Sequence, residues 1–145
     1  MVRSYDLKAG GMEKHVNKLM DKFRKIEENE VRYQTLQVDD AEIVLVGFGS
    51  SARACKAALD MGRAEGIKVG FVRPITLWPF PMKLLSELAS KAENFLVVEM
   101  NGGQMVEDVR LSIEGKAKIS LHSRPSGGIP TGEEILEVAK KIMKN

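Results

Sequence analysis

The sequence is poor in the residues that hold metal ions, clusters and disulfides. Its 145 residues include one cysteine, Cys55, and two histidines, His15 and His122. A single cysteine cannot close an intrachain disulfide, and structural zinc sites or iron–sulfur clusters need several thiolate or imidazole ligands. The sequence therefore excludes a structural zinc site or an iron–sulfur cluster held by this chain alone.

An excess of one charge sign and a long apolar run are also missing. Lys and Arg number 22 against 20 Asp and Glu, which leaves a net charge of +2. No basic patch is present to attract nucleic acid or an anionic membrane. No apolar run approaches the ~20 residues that span a bilayer, and the first residues lack the apolar core of a signal peptide. We expect neither a nucleic-acid nor a membrane partner, and a cytoplasmic location.

The chain does contain a regular alternation of strand and helix patterns. A chain of this length is sufficient for one domain with its own core. Short apolar runs are each followed by a helical pattern of about 12 residues; these runs are Ile43–Val46, Lys68–Val72, Phe95–Glu99 and Ala117–Leu121. Such alternation is typical of parallel strands joined by helical crossovers. The predicted class is α/β, doubly wound, with helices on both faces of the sheet.

The first part of the chain has a different pattern. Residues 1–11 are polar and without periodicity, and we predict a disordered lead-in or linker there. Apolar residues recur at helical spacing from Met12 to Glu28, which indicates an amphipathic helix. Alternation within Val31–Val38 indicates a short, half-buried strand. The predicted organisation is this lead-in, a linker helix and strand over 12–40, and an α/β domain over 41–145.

Local signals predict where several elements begin and end. Gly66 is expected to end the helix after the first apolar run. The second strand, Lys68–Val72, is expected to stop at Arg73 and Pro74, because proline cannot donate to the ladder and restricts the preceding residue. Thr131 with Glu134 three residues later fits a capping box, which predicts the start of the last helix.

The turn after the first apolar run matches part of a dinucleotide-binding fingerprint. Gly47, Gly49 and Ala52 fit G-x-G-x-x-G/A. Glycines there would let a phosphate approach Gly49, Ser50 and Ser51 at a helix start. The carboxylate expected at the end of the next strand is replaced by Arg73, which could instead meet a 2′-phosphate. The ordinary interpretation, glycines for a tight turn and serines as helix caps, is favoured, and a small phosphate- or nucleotide-binding module is the alternative.

A second polar loop follows the third apolar run. If that run and the first form neighbouring strands, their loops line one crevice, the usual ligand site of an open α/β sheet. Asn101, Gly103 and Gln104 lie in this loop. Their amide groups could contact a neutral polar partner, or they could serve only to start the next helix. Both interpretations remain open.

The segment from Arg73 to Pro81 is the most unusual part of the sequence. It contains three prolines besides Trp78 and Phe80, and the tryptophan is the only one in the chain. A stiff aromatic segment offers a large contact area at small entropic cost, so it could dock on another domain or subunit. It could equally fold back over the domain's own core.

The remaining reactive side chains predict no catalytic site. Glu99 stands at a strand end, where a solvated carboxylate at the rim of the sheet is favoured and a buried acid is the alternative. Cys55 belongs to a stripe of small residues, which favours a core thiol over a nucleophile. His15 is expected on the polar side of the first helix, and His122 just after the fourth strand. No Ser–His–Asp or Cys–His spacing is present.

Several motifs taken together resemble a known family. The chain is similar over about residues 12–143 to the C-terminal domain of the alpha subunit of 2-oxoacid:ferredoxin oxidoreductases. The resemblance is carried by the segments Arg73–Pro81, Val97–Met105, Gly47–Ser51 and Arg124–Thr131, in that family's order and spacing. It implies a three-layer α/β/α domain like the transketolase C-terminal domain, with a mostly parallel five-strand sheet. Its one antiparallel edge strand would be the strand predicted within Val31–Val38.

The resemblance implies membership of an enzyme complex. The family oxidatively decarboxylates a 2-oxoacid to an acyl-CoA with thiamine diphosphate, magnesium, coenzyme A and iron–sulfur clusters, and it passes electrons to ferredoxin. The family's pyrimidine-binding domain, a Gly-Asp-Gly diphosphate motif, a cluster-binding cysteine set and an assignable activating glutamate are missing here. A transketolase or the decarboxylase component of pyruvate dehydrogenase is a further alternative, against which Trp78–Pro81 argues.

The resulting prediction is a structural and interface domain that is inactive alone and binds no cofactor itself. Its partners would be the other domains and subunits of the oxidoreductase complex. The predicted contact residues are Arg73, Trp78 and Phe80.

Overall fold

The computed structural model describes residues 8–144. This part of the chain contains five helices and five strands, in the order α1 (Gly11–Asn29), β1 (Tyr33–Leu36), β2 (Ile43–Gly47), α2 (Gly49–Ala64), β3 (Val69–Pro74), α3 (Met82–Leu88), β4 (Asn94–Glu99), α4 (Met105–Ile113), β5 (Lys118–Ser123) and α5 (Gly132–Met143). Of the predicted lead-in over residues 1–11, residues 1–7 lie outside the described part. The division at residues 40 and 41 remains a prediction.

The strands form one mixed sheet with β2 at its centre. The strand order is β1-β3-β2-β4-β5. Strands β3, β2, β4 and β5 are parallel, and β1 pairs with β3 in the antiparallel sense at the edge. All five residues of β2 are buried, as expected for a strand covered on both faces. The predicted fold class is confirmed, including the antiparallel edge strand.

Alternate residues of the central strand enter two separate cores. Val44 and Val46 belong to the core beneath α3 and α4. Ile43 and Leu45 belong to the core beneath α2 and α5. Because successive side chains of a strand point to opposite faces, the apolar run supplies both layers at once. The result is the three-layer arrangement expected from the sequence.

Several predicted boundaries shift in the structure. Strand β3 continues to Pro74, which is paired with Tyr33. The lack of a proline donor is tolerated there, because Pro74 is the last residue of its strand. Helix α3 ends at Leu88, although the apolar pattern continues to Ala92. His122 lies within β5 rather than after it. The predicted capping box at the start of α5 is confirmed by both of its hydrogen bonds.

Helix α1 stands apart from both cores. It has 19 residues and none of them is buried, although its apolar residues follow helical spacing. The ring of Phe23 on this helix contacts the ring of Trp78, with ring centroids 5.4 Å apart at an interplanar angle of 77°. No helix within residues 8–144 is both long and apolar enough to cross a membrane.

Candidate functional site

The centre of the sheet is the point where the chain reverses its winding direction. Strand β2 has β3 on one side and β4 on the other, and Gly47 is paired with Val98. The loops that follow β2 and β4 therefore leave the same edge of the sheet, where ligands bind in many open α/β folds. The predicted adjacency of these two strands is confirmed.

The glycines of the first loop serve a tight strand-to-helix turn. A Cβ atom on Gly47 would lie 2.9 Å from Sγ of Cys55, which leaves no room for a larger residue. Gly49 has a φ of +56°, in the region that glycine enters without strain. The prediction that the serines cap α2 is wrong. The capping position is occupied by Phe48 and no side chain bonds there, because Ser50 and Ser51 already belong to the first turn.

The second loop is organised by a buried carboxylate. Glu99 has no exposed surface. Its oxygens accept hydrogen bonds from the backbone N–H groups of Gln104 at 3.2 Å, Met105 at 2.9 Å and Val106 at 2.9 Å. These are donors that a helix start leaves without an intrahelical partner, and a negative charge there is favourable. The expectation of a solvated Glu99 is therefore wrong.

Asn101 completes this arrangement. Its Nδ2 group donates to Glu99 at 3.0 Å, and its Oδ1 atom accepts from the backbone N–H of Gly103 at 2.7 Å. Its carbonyl oxygen accepts from the Ser123 hydroxyl. Of the two open interpretations, the structure places the Asn101 amide in the helix start. The Gln104 side chain is exposed, and its role stays a prediction.

The two predicted loops do not line one cleft together in the described structure. Gly49 and Ser50 line a cleft of about 650 Å³, whereas Asn101, Gly103 and Gln104 do not. Ser51 is buried on the side of α2 that faces the sheet. The cleft instead lies between α2 and the β1–β3 edge of the sheet; the rest of its lining is Gln34, Leu36, Ala52, Arg53, Lys56, Phe71 and Arg73.

Sequence reasoning missed Arg53 and Lys56. Both follow Gly49 at the spacing that keeps residues on one face of a helix, which was the available signal. The strand that faces them could not be identified, because β1 precedes α2 in the chain and reaches this cleft through its pairing with β3.

The Trp78 segment both folds back and faces outward. Thr76 fixes it to the residue before β1: its hydroxyl accepts from the Arg32 N–H at 2.9 Å and donates to the Pro79 carbonyl at 2.9 Å. The Trp78–Pro79 peptide bond is cis. Phe80 packs against the core beneath α3 and α4. Trp78 remains 53% exposed.

The three predicted contact residues do not form one surface. Arg73 follows Phe71 on the α2 side of the sheet and lines the cleft described above. Trp78 and Phe80 line a groove of about 830 Å³ that also includes Tyr33 and Met82. Whether any of these residues contacts another domain remains a prediction.

The other titratable groups are held by structural interactions. Burial raises the pKa of the Cys55 thiol to about 12, in agreement with the predicted core thiol. A hydrogen bond from the Arg63 side chain lowers the pKa of Asp40. The backbone N–H of Thr131 lowers the pKa of Glu134, with a smaller contribution from Arg124.

The two histidines differ in exposure and surroundings. His15 is exposed on α1, as predicted. His122 is half-buried, and its Nε2 atom has no hydrogen-bond partner in the described structure. Among residues 8–144, no three His, Cys, Asp or Glu side chains lie close enough to hold a metal ion.

The same fold occurs in solved structures of a transketolase and of an oxidoreductase. The structure of a split-gene transketolase, an inactive beta4 tetramer, matches 78% of this chain and 41% of that one, with a TM-score of 0.65 and 18% identity. A 2-oxoglutarate:ferredoxin oxidoreductase from Magnetococcus marinus matches 94% of this chain and 24% of that one, with a TM-score of 0.81 and 22% identity. At such identities these matches show the fold.

The sequence places the chain in one family. Residues 41–135 match the model of pyruvate:ferredoxin oxidoreductase core domain II, and the chain belongs to that family. It is 46% identical over 124 residues to the ketoisovalerate oxidoreductase subunit VorB of Methanothermobacter marburgensis, covering 86% of this chain. It is 37% identical over 133 residues to the 2-oxoglutarate synthase subunit KorA of the same organism. The chain spans 35% of the length of each of these relatives.

Proposed function

We propose that this chain is a structural and interface domain of a thiamine-diphosphate-dependent 2-oxoacid:ferredoxin oxidoreductase. The complete complex would convert a 2-oxoacid to an acyl-CoA and pass electrons to ferredoxin. The domain would position its neighbours without taking part in the chemistry. The observation that carries this proposal is the unburied apolar face of α1, which continues into the Trp78 segment.

The apolar face of α1 requires a partner for its stability. A helix in a globular protein is stabilised chiefly by packing of its apolar side. Val16 is 46% exposed, Leu19 38% and Met20 48%. Phe23 at the end of this row contacts Trp78, so helix and segment form one surface. Adjacent apolar exposure of this kind marks interaction sites.

A neighbouring domain of the oxidoreductase complex is the proposed occupant. The relatives are about three times as long as the aligned region, so most of their length lies outside it. Leu77 is 46% exposed and Met82 47%, which extends the surface from α1 towards α3. The Thr76 hydrogen bonds hold this surface in place before any partner binds, which lowers the entropic cost of docking.

The chemistry of the described residues supports an inactive domain. Glu99 is committed to the start of α4, and Cys55 is a protonated core thiol. The described side chains offer no cluster of carboxylates for a magnesium-bound diphosphate, so they do not fit thiamine diphosphate. Cofactor binding would reside in the other domains of the complex.

The interface role is tested in the complex isolated through an affinity tag on this chain. Trp78→Ala and Leu19→Ser should each lower the amount of co-purified subunits, because both remove apolar contact area. Ile129→Ser is the matched control, since Ile129 is 63% exposed in the loop before α5 and does not line the groove around Trp78. Equal recovery of the complex in all three variants would contradict the proposal.

The inactive role is tested with the complete 145-residue chain by calorimetric titration. We expect no heat of binding when thiamine diphosphate and magnesium are added together. Micromolar binding would show that the chain holds the cofactor and would refute this part of the proposal.

A further inference from the structure

The charged side chains that line the cleft beside α2 are all positive. Arg53 and Lys56 enter it from α2 and Arg73 from β3, and none of the carboxylates among residues 8–144 lines it. Lys56 is paired with Asp60 at 2.6 Å, which offsets its charge. Arg53 and Arg73 have no carboxylate partner within the described part of the chain, so two guanidinium charges remain uncompensated around one cleft.

The floor of the cleft is apolar. Helix α2 packs over β2, β3 and β4, and β1 lies at the rim of this layer. Leu36 of β1 and Phe71 of β3 are opposite each other in the sheet and form the base. Gln34 is opposite Arg73 and adds an amide that can donate or accept a hydrogen bond. Charged and neutral polar groups thus surround an apolar base.

We propose that this cleft binds an organic phosphate, with the phosphate group at Arg53 and Arg73 and the organic part over Leu36 and Phe71. The guanidinium fork matches the oxygens of a phosphate and binds them through two parallel hydrogen bonds. A phosphate also supplies about two negative charges in one group. That matches two unpaired arginines better than a single carboxylate does.

The size of the cleft agrees with such a ligand. Its volume of about 650 Å³ lies in the usual range for small-molecule sites, ~300–1,000 Å³. The site is also separate from the proposed docking surface, which consists of the apolar face of α1, the segment from Leu77 to Phe80, and Met82. Phe71 belongs to the core beneath α2, whereas Phe80 of the docking surface packs on the core beneath α3. The two proposals can therefore fail independently.

The test is calorimetric titration of the complete 145-residue chain with ADP, pyrophosphate, adenosine and citrate. We expect ADP and pyrophosphate to bind, with an affinity that falls as salt is added. Arg53→Gln and Arg73→Gln should each weaken ADP binding about tenfold or more, since each removes charge-assisted hydrogen bonds. Both arginines are exposed and form no ion pair with another described residue, so these variants should fold. Arg110→Gln on α4 is the control and should bind as the wild type does.

Four results would overturn the proposal. They are absence of ADP and pyrophosphate binding to the wild type, unchanged ADP binding in the Arg53→Gln, Arg73→Gln double variant, adenosine binding as tight as ADP binding, and binding of citrate alone. The last result would identify a carboxylate site instead of a phosphate site.

Discussion

Replacement of Glu99 by glutamine tests the central feature of the second loop. The side chain keeps its shape but loses its charge, and one acceptor oxygen becomes an NH2 group. One carboxylate oxygen accepts from Val106 and the other from Met105, both at 2.9 Å. Glu99→Gln therefore leaves at least one buried backbone N–H facing another donor, in either orientation of the amide.

The expected cost follows from these contacts. An unsatisfied buried donor costs about 1–3 kcal/mol, and the lost carboxylate at a helix start adds ~0.3–1 kcal/mol. We expect the free energy of unfolding to fall by about 1–4 kcal/mol in total, and the melting temperature by roughly 3–15 °C for a domain of this size. Urea denaturation followed by far-ultraviolet circular dichroism measures the first quantity directly.

Glu107→Gln is the matched control for this variant. Glu107 lies in the first turn of α4 and is exposed, where it pairs with Arg110. Its loss should cost less than about 1 kcal/mol, because exposed ion pairs contribute little. Equal destabilisation by Glu99→Gln and Glu107→Gln would refute the conclusion that the buried carboxylate organises this helix start.

Further predictions concern the core and the helix caps. Since burial raises the pKa of Cys55 from 9.0 to about 12, the folded state keeps a proton that the unfolded chain releases, and stability should fall as pH rises from 9.0 towards 12. Denaturation at increasing pH should show this loss in the wild type, and a parallel curve for Cys55→Ala would contradict it. Gly47→Ala should lower the free energy of unfolding by about 1–3 kcal/mol, because its Cβ would lie 2.9 Å from Sγ of Cys55. Adding Cys55→Ala should restore part of this stability in a denaturation experiment. If it restores none, the contact with Cys55 is not the cause. Thr131→Ala should cost about 1 kcal/mol through loss of the capping box; an unchanged melting temperature would mean that this cap does not contribute.

The fold could be predicted because its signals are local. A few adjacent residues are enough to predict the apolar strand β2 and the cap at Thr131, and both were predicted correctly. The end of β3 was misplaced because it depends on an antiparallel partner 41 residues earlier in the chain, Tyr33 opposite Pro74. Pairing across the sheet can thus extend a strand past a local stop signal.

The functional details were harder to predict because they depend on tertiary contacts. Glu99 looks like a rim carboxylate in the sequence, and only the fold shows the backbone N–H groups that converge on it. In the sequence Arg53 is an ordinary residue of a helix surface. Only the fold shows that it lines one cleft together with Gln34 of β1 and Arg73 of β3. In both cases the relevant neighbours are contributed by another element of the chain.

The position of Trp78 gives the protein an internal optical reporter. It is the only tryptophan in the chain, it is about half exposed, and its ring touches α1 through Phe23. The wavelength of its fluorescence emission therefore depends on whether water or protein covers the ring. The intrinsic fluorescence of the unlabelled chain would report both detachment of α1 and docking of a neighbouring domain.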